Sequence, residues 1–507
     1  MMNRFLTRLG LSLASVLALA GASPAQERPA RALLEAAAEA MGGLDRIRNL
    51  DNIVLTGFGQ RYNTNGNLSP HPNSPPKWVA VADAERSFDL RNKRALNQER
   101  QNRMFPFASA AGHSWSRSNT LQTGRAMLDH PLPALLEALA PETTLGPVRI
   151  EDGLSVVEFT IQGGVTLWMA LDPKTNLPAW VRWIAGDSQL GDVTHTAYFT
   201  GYLPFDGVRL PVGLMHKIDW RDQITFMFQV DSYRVNVPNL PPFPQGAQGA
   251  GGGGFGGGAA PLAAVAKIAE GVWDVRVGRN GGPVIEFEDH LVIFEPVGSE
   301  AQFFARLDAA NALVPGKQVT AVIVTHHHSD HAAAIRGAVA RGLTIIAERG
   351  NEELFQEFVA RPAVNFPDAL ARNPRRMVFR PVDDVLVLED RRQRLEIYHV
   401  VDHLHMSNAV FAYLPKERIM MEGDLSDVSW DWHWWAGALA ANIKRYGVDP
   451  AINVPVHGSP LGIKETLSRM ESQVEAAQAF CKQNASAGIY FFGCPVQYNP
   501  SGHVRDR

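Results

Sequence analysis

The sequence predicts two domains of different class, a β-rich domain followed by a layered α/β domain. A glycine-rich stretch at 245–260 divides the 507 residues, which are too many for one ordinary core. Before it, short runs of β-branched and aromatic residues alternate with turn residues, as in successive strands. After it, strand-like and helix-like segments alternate. We expect the boundaries 26–240 for the first domain, 241–261 for a Pro/Gly-rich linker, 262–484 for the second domain and 485–507 for a C-terminal tail.

The first 25 residues have the features of a secretory signal peptide (1–25). Arg4 and Arg8 supply a basic start, an apolar run follows at 9–20, and small residues at 22–25 suit cleavage near Gln26. The run is too short to span a bilayer, and no cysteine follows it that could accept lipid. We therefore expect a periplasmic or secreted protein with no stable membrane anchor.

The composition is that of a globular protein and argues against nucleic acid as a partner. Hydrophobic residues make up 45%, charged residues 20%, and the net charge is -4, so no basic surplus exists to neutralise a phosphate backbone. Cys481 and Cys494 are the two cysteines, and both a disulfide and two free thiols remain open. Oligomeric state does not follow from the sequence.

The elements of the first domain are one helix and then strands. The helix is predicted at 30–41, because Gly42 and Gly43 supply the residue type that helix C-caps favour. Strands are predicted at 155–162, 165–171, 179–184, 193–200 and 224–235. The linker that follows is rich in glycine and lacks side chains for a core, so the two domains can touch or separate.

The elements of the second domain alternate in type, which favours helices packed on sheets. Strands are predicted at 271–277, 284–294, 319–325, 376–387 and 395–400. Helices are predicted at 300–311, 331–341, 351–359 and 463–482, the last of them amphipathic.

A run of ligand-type side chains, HHHSDH, follows the apolar strand predicted at 319–325. Residues two apart in an extended chain face the same side, so His326 and His328 can present two imidazoles to one ion. His327 would then face away. Imidazole and carboxylate groups together suit zinc.

Asp330 and His331 complete this run where the chain turns toward a helix. They are displaced enough from the first two histidines to serve a second ion. An alternative is that Ser329 or Asp330 only caps the helix and that the histidines lie in a solvated loop. Four potential ligands directly after a buried strand favour a metal site.

The motif THHHSDH resembles the THxHxDH signature of the metallo-β-lactamase superfamily, whose fold is a four-layer αβ/βα sandwich. Later segments resemble further motifs of that family in the same order. These are a histidine segment with a strand and proline at 405–415, a strand ending in Gly-Asp at 419–425, and a strand ending in His-Gly at 454–458. The resemblance covers about 264–482.

The resemblance implies a dinuclear site holding two Zn²⁺ ions, for which other divalent metals could substitute. It assigns His326, His328 and His405 to one ion, Asp330, His331 and His457 to the second, and Asp424 as the bridge. The third ligand lies in DHLHM rather than the family's usual Gly-His-Thr. His403 therefore stays open as a ligand in a shifted register, although the distance to Pro415 favours His405.

By the same resemblance, the activity is hydrolysis by a metal-bound hydroxide, since a metal lowers the pKa of water from 15.7 to about 7. Carbonyl esters, lactones, thioesters and lactams are compatible substrates. Asp330 or Asp424 would orient the hydroxide or move its proton. Two other functions remain open: a mononuclear-iron enzyme similar to persulfide dioxygenases, and a lipid-binding protein with a vestigial metal site.

An aromatic run after the Gly-Asp motif is expected to line a pocket for an apolar small molecule. The candidate pocket residues are Trp430, Trp432, His433, Trp434, Trp435 and His403. Packing under a helix is the alternative for the tryptophans. The first domain is similar to the half-barrel of lipoprotein carriers of the LolA and LolB kind, through AEAMGG at 38–43 and NLPAW at 176–180, which implies a curved sheet that binds lipid or covers the metal site.

Overall fold

The computed structural model of the protein describes most of both predicted domains. The described residues are 24–63, 66–74, 76–103, 116–244, 262–278, 280–428, 432–433 and 435–486. Residues 1–23 of the predicted signal peptide, the glycine-rich stretch at 245–260 and most of the predicted tail lie outside them, and these assignments stay predictions. Among the described helices, none has the length and apolar character needed to cross a membrane.

The first domain is a single antiparallel sheet of eleven strands that packs on helices, so the β-rich prediction is confirmed. The sheet order is β4-β3-β2-β1-β11-β10-β9-β8-β7-β6-β5. The strands are β1 (Asn52–Asn63), β2 (Lys77–Asp89), β3 (Arg94–Arg103), β4 (Ser116–Thr123), β5 (Thr144–Glu151), β6 (Leu154–Ile161), β7 (Val165–Leu171), β8 (Pro178–Asp187), β9 (Gly191–Phe205), β10 (Val208–Ile218) and β11 (Ile224–Val235). The helices are α1 (Pro24–Met41), α2 (Leu44–Arg48) and α3 (Pro131–Ala138).

Helix α1 provides the centre of the first domain's core. Small side chains along it, such as Ala30 and Ala37, are fully buried and let the strands approach closely. The helix ends at Met41 as predicted, because Gly42 adopts φ +133, and a Cβ there would lie 2.4 Å from the carbonyl oxygen of Gly207. The helix begins at Pro24 rather than at the predicted residue 30, since a proline fits the first turn of a helix.

The second domain contains two sheets. The first sheet joins β12 (Ala264–Ala269), β13 (Val272–Val277), β14 (Asn280–Glu286), β15 (Leu291–Phe294), β16 (Val319–Ile323), β17 (Thr344–Glu348) and β18 (Val378–Val382) in that order. The second joins β19 (Val385–Glu389), β20 (Arg394–His399), β21 (Val410–Leu414), β22 (Ile419–Glu422), β23 (Ile452–Pro455) and β24 (Leu461–Gly462). The helices are α4 (Glu300–Asn311), α5 (Ile335–Ala340), α6 (Glu352–Ala360), α7 (Ala369–Arg372), α8 (Ala438–Tyr446) and α9 (Ile463–Ser486).

The predicted four-layer αβ/βα arrangement is confirmed by three separate cores. One core lies between the two sheets and includes Val292 and Met421. A second packs α4, α5 and α6 on the outer face of the first sheet. A third packs α8 and α9 on the outer face of the second sheet, with Leu439 and Met470 against Phe411. Helices therefore cover both outer faces, as buried parallel strands require.

Two predicted elements differ from the structure in an informative way. The strand predicted at 376–387 is two strands, β18 and β19, which belong to different sheets; the chain crosses between layers at Asp383 and Asp384. The helix predicted at 331–341 begins only at Ile335, because residues 328–334 form a turn in which the N–H of Ala334 donates to the carbonyl of Pro296. A backbone bond to another segment replaces the first helical turn.

The two domains contact each other directly. Asp192 of β9 accepts hydrogen bonds from the backbone N–H groups of residues 364–366. Arg221 forms a bidentate ion pair with Glu357 of α6, with atoms as close as 2.6 Å. Trp220 of the first domain joins the core of the second. This interface holds the first domain beside the loops that follow β16 and β20, since the carbonyls of Asn67 and Leu68 contact His328 and Ser407.

Candidate metal centre

The loop after β16 carries three of the predicted ligands into the interior. Strand β16 ends at Ile323, and Val324 continues the ladder by donating its N–H to the carbonyl of Ile346. The side chains of His326 and His331 are fully buried, and His328 is nearly so. The apolar strand thus ends inside the protein and places polar ring nitrogens there, where they need partners.

The first ligand group is formed by His326, His328, His405 and Asp424, whose ligand atoms all lie within 4.8 Å of one another. His326 Nε2 lies 3.0 Å from His328 Nδ1. His405 Nε2 lies 2.9 Å from Asp424 Oδ2. His403 is outside this group; its Nδ1 accepts a hydrogen bond from the backbone N–H of His405, so it supports the loop that carries His405.

The second ligand group is formed by Asp330, His331 and His457. His457 Nε2 lies 3.1 Å from His331 Nε2 and 3.4 Å from Asp330 Oδ2. Asp424 connects the two groups, because its Oδ1 lies 3.2 Å from His331 Nε2 while its Oδ2 faces His405. Asp424 therefore lies between the two groups, and its role as a bridge between two ions stays a prediction.

Asp424 is fixed by a tight turn after β22. Gly423 precedes it, and a Cβ at that position would lie 2.3 Å from Thr325 Oγ1 and 3.1 Å from His331 Nδ1. The carboxylate of Glu422, which is fully buried, accepts hydrogen bonds from the N–H of Leu425 and the hydroxyl of Ser426. The turn therefore brings the backbone against the histidines without room for a side chain.

His326 and His331 each direct Nε2 at the cluster and Nδ1 at a different partner. Thr325 Oγ1 lies 3.0 Å from His326 Nδ1. Glu295, fully buried, places Oε2 3.4 Å from His331 Nδ1, and its Oε1 accepts from the N–H of Thr325. Such contacts orient imidazoles as metal ligands. Glu295 was not singled out from the sequence, where nothing distinguishes it from a helix-capping residue.

The electrostatics of the cluster fit a bound cation. Burial lowers the pKa of His326 and His328 well below the usual range, which keeps these rings neutral as ligands must be. Burial alone would also lower the pKa of His331, but the nearby carboxylates, Asp424 foremost, raise it well above its usual range. The imidazoles and carboxylates of the two groups form donor sets suited to zinc.

A cavity of about 590 Å³ opens onto the cluster and is lined by both domains. The second domain contributes ligands and Trp435. The first domain contributes residues of β1 and β2, among them Arg61, Lys77 and Trp78. These side chains could not be identified as site residues from the sequence, because they reach the site through the domain interface.

Only some of the predicted pocket residues lie at the cavity. Trp435 lines the cavity and stacks on His405 with ring centroids 4.5 Å apart. His403, Trp432 and His433 are buried but do not line the cavity, and Trp432 packs on Phe480 of α9. Trp430 and Trp434 lie outside the described residues. Packing under a helix, the alternative reading of the tryptophans, fits Trp432.

Residues 284–426 match the sequence model of the metallo-beta-lactamase superfamily. These residues belong to that superfamily. The matched stretch contains every predicted ligand except His457. This match confirms the predicted metallo-β-lactamase superfamily domain in the second half of the chain, whereas hydrolytic activity and the carrier-like origin of the first domain stay predictions.

The similarity to individual known proteins covers less than half of this chain. A linear primary-alkylsulfatase from Pseudomonas sp. is 35% identical over 74 residues, which is 14% of this chain and 11% of that relative. A metallo-beta-lactamase from Hirschia baltica aligns at 19% identity over 42% of this chain and 98% of its own, with a TM-score of 0.33. The sec-alkylsulfatase Pisa1 from Pseudomonas sp. aligns at 18% identity over 44% of this chain and 43% of its own, with a TM-score of 0.33.

Proposed function

We propose that the protein is a dinuclear zinc hydrolase that cleaves an ester-type bond in a small molecule with an apolar part. Carbonyl esters, thioesters, lactones and lactams are the candidate bonds. The observation that carries the proposal is the position of Asp424, whose two carboxylate oxygens face the two ligand groups. A single carboxylate between two such groups is the arrangement expected of a two-metal site.

Seven residues would hold the two ions: His326, His328, His405, Asp330, His331, His457 and Asp424. When bound, the metals supply a water acidic enough to act as nucleophile at neutral pH and polarise the oxygen of the scissile bond. No serine or cysteine nucleophile is required. The mononuclear-iron alternative is less well supported, because the second ligand group is complete in this chain.

The chain's own groups would then orient the reactants and move protons. Asp330 stands at the cavity mouth with its side chain 62% exposed and its Oδ2 3.4 Å from His457 Nε2. It is placed to take a proton from an incoming water and to return it to the leaving group. Trp435, which lines the cavity beside His405, offers an apolar face to the rest of the substrate.

The test is hydrolysis by the zinc-loaded full chain on matched substrates that share one alkyl chain. The substrates are a carboxylic ester, a thioester, a lactone and a lactam. Asp424→Asn should lower kcat by at least about a hundredfold, since it alters the carboxylate that both groups face. Asp427→Asn, which changes another carboxylate of the cavity wall, is the matched control and should retain most activity.

Sulfate esters form a second candidate class, favoured by the 74-residue similarity to the Pseudomonas alkylsulfatase. An alkyl sulfate with the same chain belongs in the panel. Release of sulfate without cleavage of the carboxylic ester would favour this class. The zinc cluster would serve either bond, since both reactions place negative charge on an oxygen at the scissile bond.

We also propose that the protein acts outside the cytoplasm, because Arg4, Arg8 and the apolar run at 9–20 have the pattern of an export signal. N-terminal sequencing of the protein recovered from fractionated cells tests this. A mature N-terminus near Gln26 in the periplasm or medium supports export. A full-length chain confined to the cytoplasm contradicts it.

A further inference from the structure

We propose that two arginines of the second domain, Arg276 and Arg306, are positioning residues for the second ligand group, and that loss of Arg276 releases the ion of this group while the first ion stays bound. The inference rests on the proposed function, because it takes each ligand group to hold one metal ion. It deepens that function by naming side chains, outside both ligand groups, that make the two ions separable.

Arg276 holds the backbone that carries His457. It lies on β13, and its side chain is only 17% exposed. Its Nη2 donates to the carbonyl of Pro455 at 3.0 Å and its Nη1 to the carbonyl of Val456 at 3.2 Å. Its Nε donates to Asp274 Oδ2 at 2.6 Å, which fixes the guanidinium. Strand β23 ends at Pro455, so Arg276 fixes the point where the chain leaves the sheet, just before the ligand.

Arg306 holds the backbone of Glu295, a residue that contacts His331. It lies on α4 and is fully buried. Its Nη1 donates to the carbonyl of Glu295 at 2.7 Å, its Nη2 to the carbonyl of Phe294 at 3.0 Å, and its Nε to the carbonyl of Val275 at 2.9 Å. The guanidinium therefore joins β13 to the end of β15.

Glu295 depends on such support because its backbone is strained. Its φ is +64°, a left-handed conformation that costs energy for a residue other than glycine. Its Oε1 accepts from the N–H of Thr325 at 2.9 Å, and its Oε2 lies 3.4 Å from His331 Nδ1. A shift of this backbone would move a contact of a second-group ligand. Because Thr325 precedes His326, the support from Arg306 extends in part to the first group.

The two arginines belong to a charge-balanced set in the interior. Burial lowers the pKa of Arg306 to about 10, and the nearby carboxylates of Glu295 and Asp274 oppose that shift, so the guanidinium is charged at neutral pH. Buried ionic groups are often no more stabilising than apolar side chains of the same size. Their contacts with segments next to metal ligands give Arg276 and Arg306 a role in the geometry of the site.

The first ligand group has supports of its own. His326 Nδ1 lies 3.0 Å from Thr325 Oγ1. His328 Nε2 lies 2.9 Å from the carbonyl oxygen of Asn67, which belongs to the first domain. The two ligand groups are thus held by different parts of the chain. Substitution of Arg276, whose two carbonyl contacts lie directly before a second-group ligand, is the change that separates the two ions.

The experiment measures the zinc content of the full chain and its stepwise zinc affinities by chelator competition. Arg276→Met should keep the affinity for the first zinc and lower that for the second by about 10-fold to 100-fold, as expected when the support of a ligand is lost. Arg276→Lys, which can still donate to one carbonyl, should lose less. The matched control is Arg392→Met, which breaks ion pairs with Glu286 and Glu270 and should keep both affinities.

Double variants distinguish positioning from a general loss of stability. His457→Ala should lose the second zinc, and adding Arg276→Met should cause no further loss, because both changes act on one ligand. Arg276→Met added to His405→Ala should instead cost the chain both ions. Arg306→Lys keeps the buried charge, but its single nitrogen cannot bind three separate carbonyls, so the second zinc should weaken more than the first.

Equal zinc affinities in the wild type and Arg276→Met would overturn the proposal. A parallel fall of both affinities in that variant would also overturn it, as would a wild type that binds fewer than two zinc ions. Wild-type affinities in Arg306→Lys would remove Arg306 from it. If Arg276 governs the second zinc while no substrate is hydrolysed, the proposed function fails and this inference stands. If substrates are hydrolysed and Arg276→Met keeps both ions, the reverse holds.

Discussion

His328 Nε2 lies 2.9 Å from the carbonyl oxygen of Asn67, although the two residues belong to different domains. A carbonyl only accepts hydrogen bonds, so Nε2 must carry the hydrogen. The lone pair is then on Nδ1, which faces His326 Nε2 at 3.0 Å. A backbone group of the first domain therefore fixes the ring nitrogen that His328 presents to the cluster.

A substitution that loosens the domain interface should weaken metal binding, even though it replaces no metal ligand. Arg221 pairs with Glu357 and donates to the carbonyl of Pro70, in the segment between β1 and β2. Arg221→Ala should reduce zinc affinity by about tenfold, the lower end expected when the support of a ligand is lost. Chelator competition measures the affinity. Arg234→Ala, which breaks an exposed pair with Glu85, should leave it unchanged; equal affinity in both variants would contradict the account.

The carboxylate of Glu295 should matter to the second ligand group. The two carboxylate oxygens of Glu295 face the N–H of Thr325 and the Nδ1 of His331. In Glu295→Gln, an NH₂ group replaces one of these oxygens, so that one hydrogen-bond donor faces another. We expect zinc affinity to fall by about 10-fold to 100-fold with little change in helix content. Stepwise zinc titration with circular dichroism checks this, and wild-type affinity would rule out a supporting role for Glu295.

Gly423 should be intolerant of even one methyl group. A Cβ there would meet Thr325 Oγ1 at 2.3 Å and the ring of His331 at 3.1 Å, so Gly423→Ala must shift Asp424 or the histidines. We expect a loss of about 1–3 kcal/mol in stability together with lower metal content. Gly437→Ala is the control, since its nearest neighbour would be Val474 at 3.7 Å, an ordinary contact. A zinc-replete, stable Gly423→Ala would show that the turn can move.

The first domain should lose stability in mild acid through His130. Burial lowers the pKa of His130 to about 3, and the neutral ring accepts from the N–H of Leu132 while its Nε2 lies 3.1 Å from Tyr233 Oη. A lowered pKa in the folded state gives stability that is complete above the ordinary value of 6.5 and is lost as pH falls toward 3. Between pH 7 and pH 5 the loss is about 2 kcal/mol.

Urea unfolding at the two pH values, followed by tryptophan fluorescence, tests the role of His130. His130→Gln should lack about 2 kcal/mol of the pH dependence of the wild type. His71→Gln changes an exposed histidine and should keep the wild-type dependence. Identical pH dependence in wild type and His130→Gln would assign the effect to other groups.

The sequence was sufficient for what is local and insufficient for what depends on the domain interface. The ligand run after β16 was predictable because a two-residue spacing on extended chain aligns His326 and His328. The first-domain residues at the site were not, since Asn67 meets His328 across 261 positions. The run of tryptophans does not indicate which side chains face the cavity. Trp435, which lines the cavity, and Trp432, which packs on α9, were therefore indistinguishable in the sequence.

The most direct test of the central claim is the zinc content of the purified full chain, measured by elemental analysis for wild type and Asp424→Ala. Asp424 contacts both ligand groups, so the account predicts about two zinc ions per chain in the wild type and a marked loss in the variant. One iron per chain, or no bound metal after zinc loading, would contradict it.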